Sequence, residues 1–142
     1  MGGRPAAAVV DRAGEEAMLE RARKRLGKKA KRGFRGYPVA TIAFYGPNNT
    51  TATKLTVGIV PAEHADVSDL RRWFSKTTDI RNDATVAQDV LAFIEVAGAR
   101  SVVMTDGVIG CPHEEGIDYD GQTCPACPFW AGRDRWTGKR VN

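Results

Sequence analysis

All three cysteines of the chain lie within one stretch of 17 residues, from Cys111 to Cys127. Cys124 and Cys127 form a C-x-x-C pair, and Cys111 lies two residues before His113, one of only two histidines. An odd number of cysteines does not fit a simple disulfide framework, whereas clustered thiols in a reducing compartment usually bind metal or carry out redox chemistry. Three thiolates and one imidazole complete a tetrahedral shell. The spacing therefore predicts a metal site made by Cys111, His113, Cys124 and Cys127.

The second cysteine pair, in the turn Cys-Pro-Ala-Cys, resembles the knuckle of zinc ribbons. The resemblance concerns the knuckle alone, about twenty residues, and implies one Zn²⁺ in a closed structural site. Soft sulfur ligands favour zinc or iron over magnesium or calcium, and an iron–sulfur cluster is the less favoured alternative. The first pair departs from the usual pattern, because a single residue separates Cys111 from His113.

An enzymatic interpretation starts from the same residues. His113 and Glu115 followed by a C-x-x-C pair match the outline of the zinc deaminase motif, in which the glutamate moves protons for a zinc-bound water. Here only ten residues separate His113 from Cys124, and Cys111 supplies a fourth ligand that would close the water position. We therefore favour a non-enzymatic protein. A zinc-dependent hydrolase or deaminase remains the alternative, and it requires that one of the four residues is not a ligand.

Charge divides the chain into two unequal parts. Residues 1–36 carry 11 Lys+Arg against 4 Asp+Glu, whereas residues 37–142 carry 10 against 13. Nine of the fifteen residues from Arg21 to Arg35 are basic, which is the asymmetry typical of a polyanion-binding segment. We expect RNA or a ribonucleoprotein as the partner. The alternatives are a protein–protein adaptor that binds an acidic protein, and a solvated helix that aids solubility.

The predicted nucleic-acid contacts comprise the cations of this segment and three residues near the C-terminus. Trp136 lies among arginines, so it either stacks on bases or packs on the fold, whereas Phe129 and Trp130 are expected to pack. The twelve predicted contact residues are Arg21, Arg23, Lys24, Arg25, Lys28, Lys29, Lys31, Arg32, Arg35, Arg133, Arg135 and Trp136.

Hydrophobic periodicity predicts an α+β fold, in which a β-hairpin and one further strand form a small sheet covered by helices. The hairpin strands are expected in 38–46 and 52–60, a short helix from Ser68, a longer helix after Asp83 that ends at Gly98, and a strand over 101–105. A basic helix is expected over 14–27. The last strand is expected to run parallel to a hairpin strand.

These features divide the chain into a partly flexible basic N-terminal helix or arm (1–36), an α+β core (37–109), and a zinc-binding loop with a C-terminal tail (110–142). Apolar runs are too short to span a bilayer, and the first residues lack the apolar core of a signal peptide. We therefore expect a cytoplasmic protein without a membrane partner.

Overall fold

A computed structural model describes residues 12–76, 78–112 and 128–130. The α+β fold with a small sheet is confirmed. The sheet has four strands in the order β3-β2-β1-β4. The elements are α1 (Arg12–Lys31), β1 (Val39–Tyr45), β2 (Lys54–Val60), β3 (Asp69–Phe74), α2 (Ala84–Val96) and β4 (Ser101–Val108), with two short 3₁₀ helices, Ile80–Asn82 and Pro128–Trp130.

The predicted hairpin is confirmed, with β1 antiparallel to β2 and Ile42 opposite Val57. Its loop is held by the Asn48 side-chain oxygen, which accepts hydrogen bonds from the amides of Thr50 and Thr51. Gly46 follows β1 in a place that admits no side chain, since a Cβ there would lie 1.8 Å from the carbonyl oxygen of Thr51. Backbone of the loop therefore passes directly over Gly46.

Helix α2 begins and ends as its sequence predicts. The Asp83 side chain accepts from the amide of Val86, which satisfies a free N–H of the first turn. At the other end Gly98 adopts a φ of 70°. The amides of Gly98 and Ala99 donate to the carbonyls of Glu95 and Ile94, which is the Schellman arrangement. The apolar side of α2, including Val90 and Ile94, packs on the sheet.

Strand β4 lies parallel to β1, as predicted, with Ala40 opposite Val102. The predicted helix from Ser68 is wrong, because Asp69–Phe74 is an edge strand antiparallel to β2. Only Trp73 of this strand is buried, and its ring meets the ring of Phe93 on α2 edge to face. Hydrogen-bonded pairing with β2 therefore determines the conformation of this segment, although the spacing of its apolar residues favours a helix.

The second strand of the hairpin is buried on both faces, whereas its alternation predicts a lighter face at Lys54, Thr56 and Gly58. Lys54 and Thr56 are each 4% exposed. The Lys54 ammonium lies 5.3 Å from the centre of the Tyr45 ring and 5.9 Å from that of Phe74, and it donates to the carbonyl of Pro112. Two aromatic rings and a backbone acceptor therefore replace the water that this side chain would otherwise need.

Candidate functional site

Helix α1 is the element that positions most of the predicted basic residues. It is 20 residues long, so it includes seven of the nine cations of the predicted basic segment, and it packs against α2 and β4. Ala22 is 1% exposed, and Leu26 and Ala30 pack against the core one and two turns further on. The spacing of four residues places all three on one side of the helix, so the opposite side faces away from the fold.

The outward side of α1 carries a line of cations, which we name the outer basic stripe: Arg21, Lys24, Lys28 and Lys31. All four side chains are exposed, as is Arg32 just after the helix. Successive members are three or four residues apart and so neighbour one another on the helix surface. Within the described part of the chain, none of the four forms an ion pair. Like charges this close repel, so the stripe destabilises the isolated helix slightly.

Two further predicted contact residues also bond to neighbouring elements of the fold. Arg23 donates to the carbonyl oxygen of Arg81 and to the side-chain oxygen of Asn82. Arg25 forms an ion pair with Glu95 of α2. These bonds tie both flanks of α1 to neighbouring elements, which fixes the direction in which the stripe points.

The remaining predicted nucleic-acid residues divide between described and undescribed parts of the chain. Lys29 is half-buried, and Arg35 is exposed with its backbone amide donating to the Ser101 hydroxyl at 2.7 Å. Arg133, Arg135 and Trp136 lie outside the described residues. The structure thus brings the four cations of the stripe together on one helix.

The backbone N–H and C=O groups of Gly46 bond to two distant parts of the chain. Its amide donates to the carbonyl of Gly110 at 2.8 Å, and its carbonyl accepts from the indole N–H of Trp130 at 2.9 Å. Trp130 is 1% exposed, so its predicted packing role is confirmed. Residues on both sides of the interval 113–127 are therefore held at the same place, beside the end of β1.

Cys111 is the one predicted metal ligand among the described residues. It is 1% exposed and belongs to the same buried cluster as Trp130. His113, Cys124 and Cys127 lie outside the described residues, as does Glu115 of the enzymatic alternative. Over residues 12–76, 78–112 and 128–130, no group of three or more His, Cys, Asp or Glu side chains is placed to hold a metal ion.

Asp79 and Arg81 form an ion pair that the sequence analysis did not identify. The Arg81 guanidinium donates through Nε to Asp79 Oδ1 at 2.8 Å and through Nη2 to Oδ2 at 2.6 Å. These side-chain hydrogen bonds from Arg81 hold the pKa of Asp79 below its ordinary value, while partial burial acts in the opposite direction. The signal in the sequence was Asp79 two residues before Arg81 at the start of a short helical turn, a pattern too common to identify a site.

Comparisons of the chain with protein-family models, with curated proteins and with solved structures find no match. In the described part of the chain, neither helix has the length and apolar character that crossing a bilayer requires.

Proposed function

We propose that the protein is a zinc-binding accessory module that binds RNA, alone or within a ribonucleoprotein, through the phosphate backbone. The observation that carries the proposal is the outer basic stripe on a helix that is anchored to the fold. Ala22 and Leu26 hold the inner side of α1 against the core, so the backbone positions that carry the outer cations are fixed relative to the fold. From Arg21 to Lys31 the stripe extends about 15 Å along the helix axis.

Electrostatic cost supports a polyanionic partner. Lys24 and Lys28 are four residues apart, and neither has an acidic neighbour with which it forms an ion pair in the described part of the chain. Each such like-charge pair costs the helix a few tenths of a kcal/mol, about 0.2 to 0.5. A phosphate backbone would convert this repulsion into attraction and release the counterions that it holds.

The RNA proposal is tested by the salt dependence of binding. We expect the triple variant Lys24→Gln, Lys28→Gln, Lys31→Gln to bind a short labelled oligouridine more weakly than the unchanged protein. The slope of log K against log salt should fall by about 0.7 for each lost contact, about 2 in total. Fluorescence anisotropy over a series of salt concentrations measures both quantities.

A control triple variant removes the same charge elsewhere: Arg71→Gln, Lys76→Gln, Arg100→Gln. These three exposed residues lie outside α1, and their loss should leave the slope unchanged. Equal slopes in the two triple variants, with both folded by circular dichroism, would refute the assignment to α1. A stable complex with an acidic protein that survives ribonuclease would favour the adaptor alternative.

The metal part of the proposal assigns one Zn²⁺ to Cys111, His113, Cys124 and Cys127. What supports it is the Gly46 junction, which holds Gly110 and Trp130, on either side of the interval 113–127, at one place. Cys111 lies in that junction with its thiol shielded from water. A closed zinc site would contribute folding free energy there, because the unfolded chain does not hold the four ligands together for the metal.

The two histidines of the chain provide a matched test of the metal. We expect about one zinc per chain in the purified protein by elemental analysis, from the four-ligand stoichiometry. His113→Ala should lose the metal and His64→Ala should keep it, because His64 is an exposed loop residue beside Glu63. Equal zinc content in the two variants would contradict the ligand assignment. Cobalt substitution, read by absorption, would distinguish a closed site of three sulfurs and one nitrogen from the open site that an enzyme requires.

A further inference from the structure

A cavity of about 470 Å³ lies between α1, α2 and the helix-covered face of the sheet. Small-molecule sites usually occupy about 300 to 1,000 Å³ and are mainly apolar with a few polar groups. This cavity has that character, and its apolar wall includes Leu26, Ile42, Phe44, Leu55, Val90 and Met104.

Gly27 forms part of the wall, in the interior of helix α1. Glycine at such a position costs about 1 kcal/mol relative to alanine. A Cβ at Gly27 would meet nothing within 4 Å, so no close neighbour in the described structure requires a glycine. Glycine here therefore leaves this part of the cavity wall without a side chain, at the expense of helix stability.

Charged groups of the described residues that line the cavity are Arg23, Asp79 and Arg81. The Arg81 guanidinium is occupied by the Asp79 carboxylate through two hydrogen bonds. Among the described residues, Arg23 donates only to neutral oxygens, the carbonyl of Arg81 and the side chain of Asn82. One positive charge thus remains uncompensated at the cavity, and guanidinium has further donors beyond these bonds.

We propose that this cavity binds a small apolar molecule that carries one carboxylate. The carboxylate pairs with Arg23 and accepts from the Asn82 amide, while the apolar body lies against Phe44, Leu55 and Val90. This site is distinct from the outer basic stripe, which is on the opposite side of α1. A variant can therefore lose binding of the carboxylate and keep binding of RNA, or the reverse. Arg23, a predicted nucleic-acid contact, also lines this cavity.

Decanoate and its uncharged counterpart decanol are the probes. In the full chain labelled at methionine methyl groups, decanoate should shift the Met104 methyl resonance, because Met104 lines the cavity. Met18, on α1 away from the cavity lining, is the internal control in the same spectrum. A spectrum in which Met104 does not move at saturating decanoate overturns the proposal.

Three variants then locate the binding by calorimetry. Gly27→Leu fills the cavity from a position with open space and should abolish binding, and leucine favours the helix more than glycine does. Arg23→Met should weaken decanoate binding about tenfold or more while leaving decanol unchanged, since it removes a charge-assisted hydrogen bond. Lys28→Met, on the outer stripe, should leave both affinities unchanged.

Unchanged decanoate affinity in Gly27→Leu, with the fold intact by circular dichroism, would overturn the site. Equal affinity for decanol and decanoate in the unchanged protein would overturn the carboxylate. Oligouridine binding should be the same in Gly27→Leu as in the unchanged protein, so this experiment does not depend on the RNA proposal.

Discussion

The Asp79 carboxylate organises the backbone just before α2. It accepts hydrogen bonds from the Arg81 side chain, from the backbone amide of Arg81 at 3.0 Å and from that of Ala52 at 3.2 Å. The first 3₁₀ helix is therefore fastened to the start of β2 through one side chain. A carboxylate with this many donors is stabilised in its charged form.

Acid should weaken this arrangement in a defined direction. Hydrogen bonds from Arg81 lower the pKa of Asp79 below its ordinary value of 3.8. Because the folded pKa is below the unfolded one, the stabilisation is complete above the unfolded value and is lost as pH falls through the folded value. We expect Asp79→Asn to lower the free energy of unfolding at neutral pH by about 2 kcal/mol.

The difference in the free energy of unfolding between Asp79→Asn and the unchanged protein should become smaller as pH falls below the unfolded pKa of about 4. Urea unfolding at a series of pH values measures it. Asp89→Asn, an exposed carboxylate on α2, is the control and should change stability little at any pH. A difference for Asp79→Asn that stays constant from neutral to acid pH would contradict the assigned role.

Residue-scale prediction from the sequence fails where a partner is distant in the chain. Alternation in β2 correctly assigns Leu55 and Val57 to the core, yet it misplaces Lys54. Burial of Lys54 depends on Phe74 and on the carbonyl of Pro112, 58 residues away. No local pattern contains that information.

At the scale of elements, two glycines show how the local backbone conformation decides whether glycine or alanine gives the more stable protein. Gly27 lies inside α1, and Gly98 ends α2 with a φ of 70°. At both positions an added Cβ meets nothing within 4 Å, so contacts with neighbouring residues do not contribute to the effect of either alanine substitution. Only the local backbone differs.

Alanine at these two positions should therefore have opposite effects. Gly27→Ala should raise the free energy of unfolding by about 1 kcal/mol, from helix propensity. Gly98→Ala should lower it by about 1 to 2 kcal/mol, because a left-handed conformation is strained with a side chain. Urea unfolding of the two single variants and of the double variant checks this, and effects of the same sign would refute the argument.

The elements with local signals were predicted, and the edge strand was not. Helix α2 combines an apolar side with Asp83 at its start and Gly98 after its end, so propensity and packing agree. In β3, the spacing of Leu70, Trp73 and Phe74 fits a helix, but the segment is a strand because it pairs with β2. An edge strand with one buried residue has little periodicity of its own.

At the scale of the whole molecule, Trp130 connects residues near the C-terminal end to the hairpin. Its indole N–H donates to the carbonyl of Gly46, and both groups are buried. The sequence indicated that Trp130 packs, since it follows the cysteine cluster, but it gave no means to identify Gly46. Likewise the stripe on α1 follows from composition, whereas its outward direction depends on the contacts of Ala22.

We expect Trp130→Phe to cost more stability than Trp73→Phe. Both changes remove part of a buried ring, but Trp130 alone of the two donates its N–H to a described backbone carbonyl. Leaving that carbonyl unpaired should add about 1 to 3 kcal/mol to the loss. Urea unfolding of both variants gives the difference, and equal losses would show that the hydrogen bond contributes nothing.

The junction at Gly46 also has a consequence in time. The carbonyl of Gly46 is synthesised 84 residues before the indole that completes it. At about 5 to 20 residues per second, the ribosome needs about 4 to 17 s to make that interval. Strand β1 has its hairpin partner early, but its other edge stays open until β4 has been made, and an open strand edge can pair with other chains. The order of the strands therefore sets a period of several seconds during which each nascent chain is most prone to aggregate.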